Sequence, residues 1–155
     1  MLSSAFSNAL DNDRQQPISI EADKAERDEK NGVTIYQGKV SLQQGSLYMT
    51  ADKIVFFDAS GDLEKIEATG TPANFSQKPP ADQEPVNATG NTIRYIPKDD
   101  LLQLIGNASL KQQGSLFSGD TIDYDIANKV IKGNSTNTLK EPDKRVKVIY
   151  KPKLN

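Results

Sequence analysis

Apolar residues along this chain alternate with polar ones, and the alternation repeatedly slips by one position. Ile18 and Ile20 lead into Ala22, Leu47 and Met49 into Ala51, and Val86 and Ala88 into Gly90. Each small residue is followed by an acid or amide: Ala22-Asp23, Ala51-Asp52, Gly90-Asn91 and, later, Gly119-Asp120. The alternation then resumes out of step at Ile54 and Phe56, Ile93 and Tyr95, and Ile122, Tyr124 and Ile126. Strand side chains have a period of two, so an uncompensated slip would turn the second half of each run to the opposite face. A bulge or sharp bend at the small residue keeps both halves facing inward. Four such pairs predict four corners in one curved sheet stack.

The pairs lie 29, 39 and 29 residues apart, which marks four related units. The long middle interval contains Lys78-Pro79-Pro80 and Pro85, read as an inserted loop. Each unit carries a second glycine after its strand: Gly38, Gly70, Gly106 or Gly133. Strands are predicted at 18–27, 33–43, 46–57, 63–68, 73–77, 86–96, 101–111, 116–125, 129–132 and 145–150. Turn residues separate them at Lys30-Asn31-Gly32, Asp58-Ala59-Ser60-Gly61-Asp62, Pro97-Lys98-Asp99-Asp100 and Ala127-Asn128-Lys129. No window carries a convincing helical stripe, although 23–30 could be taken for a charged helical turn. The fold class is all-β: a sandwich, jelly roll or solenoid.

With 155 residues the chain fits one domain, expected over 15–150, between a leader at 1–14 and a basic tail at 151–155. Ser7-Asn8-Ala9 resembles the end of a secretory signal; an artificial leader or a floppy terminus is the alternative. Hydrophobic residues make up only 35%, as expected when each strand keeps one face in water. The net charge of −2 gives no electrostatic argument for nucleic acid. There is no Cys, so disulfides are excluded, and no His, which removes the commonest general base and metal ligand.

Candidate chemistry is correspondingly thin. Gly32 to Gly38-Lys39 is spaced wrongly for a phosphate-binding loop and has Val40 where a hydroxyl should meet magnesium. Asp11-Asn12-Asp13 lacks the glycine and closing Glu of a calcium loop. Asp123 and Asp125 share one face of a strand, as on a solvated surface. The acceptor-like Asn87, Asn107 and Asn134 are common triplets in a chain this rich in Asn, Ser and Thr. No enzyme, cofactor or metal is expected.

What remains is the inward row. By phase it comprises Ile18, Ile20, Tyr36, Val40 and Leu42 in the first unit, then Leu47, Met49, Ile54, Phe56 and Phe75 in the second. Ile93, Tyr95, Leu102 and Leu104 follow, then Leu110, Leu116, Ile122 and Tyr124. It reads as an ordinary core or, with no Trp to plug a wide space, as a uniform trough open to an extended apolar guest. The trough predicts lipid-binding roles for these side chains. The alternatives are a structural or adhesion sandwich with a filled core and a carbohydrate-binding jelly roll.

Gln16-Pro17-Ile18-Ser19-Ile20-Glu21-Ala22-Asp23, Gly38-Lys39-Val40, Ala51-Asp52-Lys53-Ile54 and Gly70-Thr71-Pro72-Ala73-Asn74-Phe75 together resemble the LptA/OstA family of periplasmic lipopolysaccharide-transport proteins. Gly106-Asn107-Ala108, Gly119-Asp120-Thr121-Ile122-Asp123-Tyr124 and Lys144-Arg145-Val146 extend the resemblance over about 15–150. It implies a twisted, partly open β-jelly roll, two facing antiparallel sheets in a V, with lipid A acyl chains inside and contacts on Ile18, Phe75 and Thr92-Ile93-Arg94-Tyr95. It also implies a periplasmic location in a Gram-negative cell, head-to-tail stacking, an LptC-like inner-membrane anchor and an LptD-like outer-membrane partner. Residues 1–30 carry seven acids against four bases, and 140–155 six bases against two acids. That polarity would favour first strand against last strand.

Overall fold

The computed structural model describes residues 13–78, 84–136 and 144–152. Most of the expected proline-rich loop, of the leader and of the tail lies outside them. Ten strands form one antiparallel sheet: β1 (Ser19–Glu21), β2 (Lys24–Asp28), β3 (Val33–Gln44), β4 (Leu47–Phe57), β5 (Lys65–Gln77), β6 (Val86–Ile96), β7 (Leu101–Gln112), β8 (Ser115–Asp125), β9 (Val130–Asn134) and β10 (Lys147–Ile149). Strands β3 to β8 pair in sequence order. At one edge β1 and β2 both lie on β3; at the other β9 and β10 both lie on β8.

Register shifts interrupt every pairing between long strands, at Gln37/Val40, Thr50/Lys53, Thr69/Ala73, Thr89/Thr92 and Ile105/Ala108. They align into a fold line that divides the sheet into two layers. The first holds β2, residues 33–37, 53–57, 65–69, 92–96, 101–105 and 121–125, and β9. The second holds β1, residues 40–44, 47–50, 73–77, 86–89, 108–112 and 115–119, and β10. Side chains from both halves of each strand, such as Met49 with Ile54 and Leu104 with Leu110, join one core cluster. The slip in alternation is therefore absorbed by the bends, and the jelly roll is all-β as expected.

Two expectations about the bends need correction. Gly38, Gly70 and Gly106, expected only as a glycine following each unit's strand, lie at bends themselves, so every long strand turns the corner. The segments expected as separate strands at 63–68 and 73–77 are one strand, β5, bent at Gly70-Thr71-Pro72 with a cis peptide before Pro72. A strand cannot bend alone, because its neighbour must follow to keep the ladder paired. The small–acid pair and the glycine are the two sides of that constraint. Gly38 has φ +86°, and a Cβ there would lie 2.4 Å from the Asp23 carboxylate; Gly106 has φ +80° and is covered by Asn91 in the same way. The region 23–30 holds β2 rather than a helical turn.

Polar side chains ladder the outer faces. Glu67 accepts from Arg94 Nε at 3.0 Å and pairs with Lys65, while Arg94 also donates to Gln103. At two turns the same chemistry recurs. Asp28 accepts from the Asn31 backbone N–H, and Asp125 from that of Asn128, each at 3.0 Å. The Asn31 backbone bond holds the Asp28 carboxyl below its usual pKa; for Asp125 the Asn128 side-chain amide, donating at 2.9 Å, does so first and the backbone bond second.

Candidate functional site: the interior and its seam

Along the side opposite the fold line, the two layers end in turns and face each other across a seam. Between them lies the apolar row. Of the expected residues, Val40, Leu42, Leu47, Met49, Ile54, Phe75, Ile93, Tyr95, Leu102, Leu104, Leu110, Ile122 and Tyr124 are all buried in one cluster. Ile18, Ile20, Tyr36 and Phe56 are partly buried against it. They lie on β1, β3 and β4 or just before β1, towards one edge of the sheet.

Leu116 is the exception. It pairs with Lys111 and Ile149 on the outward phase, and Phe117, paired with Leu110, takes the inward place. The β3–β4 and β7–β8 hairpins look alike, but the second has one extra residue before its glycine. The turn is Gly45-Ser46 in the first, where Gln44 pairs with Leu47, and Gln113-Gly114 in the second, where Gln112 pairs with Ser115. Ser115 therefore replaces Leu47, and every following side chain changes face relative to an alignment on Gly-Ser-Leu. Ile66, Ala68, Ala73 and Ala108, buried but absent from the sequence-derived row, obey the same alternation and were detectable from it.

The interior is closed rather than a standing trough. Met49, Ile54, Ile93, Leu102, Leu104, Leu110 and Ile122 are 0% exposed, so no water-sized space touches them. This overturns the expectation of a slot held open. Cross-layer contacts hold it shut: Phe75 and Tyr95 bring their rings to 6.3 Å, and Gln112 donates to the Tyr124 hydroxyl at 3.0 Å. Burial raises the pKa of both tyrosines.

Space exists at the seam itself. A cleft of about 760 Å³ is lined by Ile18, Leu63, Ile66, Ile96 and Pro97, rimmed by Arg14, Gln44, Lys98 and several carboxylates. Asp13 and Arg14, expected in the leader, are packed here. Asp13 is 5% exposed and accepts from the Ser46 N–H at 2.8 Å and from Gln77 Nε2 at 3.1 Å. Among the described residues no group of three or more Asp or Glu is placed to hold a metal ion. What the arrangement can do is bury apolar surface.

A bent, edge-open antiparallel sheet with an aliphatic interior defines a class of β-jelly roll. Comparison places the chain within that class: the family described as LptA/(LptD N-terminal domain) LPS transport protein matches residues 19–130, and the chain belongs to it. It is 36% identical to the lipopolysaccharide export system protein LptH of Pseudomonas aeruginosa, over 98% of this chain and 89% of the relative. It is 32% identical to LptA of Escherichia coli K12, over 93% of this chain and 76% of that protein. The crystal structure of P. aeruginosa LptH, titled as the LptA-homologous periplasmic component of a lipopolysaccharide transport device, superposes with a TM-score of 0.82. That match has 32% identity and covers 91% of this chain and 99% of that one.

Proposed function

We propose that the protein takes lipopolysaccharide acyl chains between its two layers and carries the lipid across the periplasm from inner to outer membrane. The observation that carries this reading is the single apolar interior, whose margin at Ile66 lines the seam cleft. Family membership supplies the substrate class. An acyl chain of a dozen methylenes crossing water unprotected exposes on the order of 10 kcal/mol of apolar surface, at ~0.8 kcal/mol per methylene. Several chains per lipid make free diffusion negligible. Aliphatic burial is unselective, so it can release what it accepts, and a sugar head can stay outside the seam.

Because the interior is packed, loading requires the layers to part, exchanging side-chain contacts for acyl contacts. The fold line supplies a hinge: the bends join the layers on one side, and towards the other the Phe75–Tyr95 and Gln112–Tyr124 contacts tie them. Head-to-tail rows are supported by the edges. β1 and β2 end both layers on one side and β9 and β10 on the other, so joining unlike edges continues both layers. Val146, Val148, Ile149 and Tyr150 are exposed at the second edge. The family embraces LptA and the LptD N-terminal domain, so an LptD-like component can meet the row through the same kind of edge, with an LptC-like anchor at its start.

Photo-crosslinking residues at Ile18, Phe75 or Tyr95 should capture lipid, and those at Ser19 or Asn74 should not. The packed interior also favours a second reading, a structural sandwich whose interior is only its core. In that case none of the five positions captures lipid.

A further inference from the structure

We propose that residues 13–16 are a latch across the mouth of the seam, released from one layer when lipid enters; this rests on the reading that acyl chains enter between the layers. The segment makes a single helical turn over 13–15, closed by the Gln16 N–H on the Asp13 carbonyl at 3.0 Å. One end grips the second layer. Both carboxylate oxygens of Asp13 accept hydrogen bonds there, from Ser46 N–H, Ser46 hydroxyl and the Gln77 amide. The Gln44 amide donates to the carbonyls of Arg14 and Gln16 at 3.2 and 3.1 Å. Gly45 makes room for this grip, since a Cβ there would lie 2.2 Å from the Asp13 carboxylate.

The other end reaches the first layer. Arg14, the next residue, forms an ion pair with Asp100 in the β6–β7 connection, and its charge acts on the Tyr95 hydroxyl. Arg14 and Ile18 also line the cleft, so the segment roofs the space an entering chain would occupy first.

The two grips differ in strength. Asp13 is buried, and its charge is met by several donors, bonds stronger than neutral ones. The first-layer grip is a single ion pair, between side chains 37% and 14% exposed, so it has fewer bonds to lose than the Asp13 anchor. Opening therefore breaks Arg14–Asp100 while Asp13 stays seated, and the segment swings away with the second layer.

The test measures the rate of fluorescent lipopolysaccharide uptake by stopped flow. Arg14→Ala and Asp100→Asn should each accelerate uptake about two- to fivefold, the factor carried by a partly exposed ion pair. The exchanged pair, Arg14→Asp with Asp100→Arg, should return the rate to that of the parent. Retained hydrogen-exchange protection of the Ser46 amide confirms that the Asp13 anchor is intact. Unchanged or slower uptake in the single variants overturns the latch while leaving the lipid reading standing. A parent protein that takes up no lipid removes the lipid reading, and the latch with it.

Discussion

The middle of the sheet and its two edges are built from the same alternating pattern but end in opposite states. In β5, β6 and β7 the inward residues Phe75, Ile93, Leu102 and Leu104 are sealed, each strand having a long neighbour on both sides. At the edges, Ile18, Ile20 and Tyr36 on one side and Phe117 and Ile131 on the other are only partly covered, and the last strand displays Val148 and Ile149 to solvent. The difference is positional rather than compositional. A core running off both edges of an open sheet is finished only by something placed against those edges. The middle therefore carries the stability of the single chain, and the edges are where the proposed head-to-tail association would form.

The largest expected effect lies in the middle. Leu104→Ala should cost about 2–5 kcal/mol in denaturant unfolding, as truncation of a sealed core leucine does. Ile20→Ala at the edge should cost less than half of whatever Leu104→Ala costs. Next come the hairpins: Phe117→Ala should destabilise clearly more than Leu116→Ala, because only Phe117 faces the core. Equal losses would contradict the assigned phase. At the β10 edge, Val148→Lys should leave unfolding within about 0.5 kcal/mol yet abolish self-association in sedimentation at high protein concentration. The smallest effect concerns Glu67. Desolvation opposes its ionisation, but Lys65 and Arg94 outweigh that and hold the carboxyl below its usual pKa of 4.5. A depressed folded pKa contributes stability above the unfolded value and loses it as pH falls through the folded one. Glu67→Gln should therefore flatten the stability–pH curve below about 4.5.

Much of this was legible in the chain because alternation and phase slip are local. Ala51-Asp52 and Gly90-Asn91 reported their bends directly, and β6 was delimited at Val86 and Ile96 as predicted. What escaped depends on partners. Gly38 and Gly106 looked like punctuation because the neighbouring strand that forces them to bend is distant in sequence. Leu116 was misassigned because residue likeness suggested Gly-Ser-Leu as the point of alignment, whereas backbone pairing places the two-residue turn at Gln113-Gly114. Asp13 gave no sign of its role, since Ser46 and Gln77, which satisfy it, lie 33 and 64 residues away. The closed interior was also beyond reach, because periodicity states which side chains face inward and not how closely two facing rows approach.

Parting of the layers is the central claim, and it can be measured as a distance. The chain contains no native cysteine, so cysteines introduced at the exposed Lys98 and Lys111, on opposite sides of the seam, provide unique attachment points for spin labels. Pulsed dipolar spectroscopy should give one short distance for the empty protein and a longer one once lipopolysaccharide is bound. An unchanged distance in protein shown to hold the lipid would contradict the account, because the acyl chains would then lie somewhere other than between the layers.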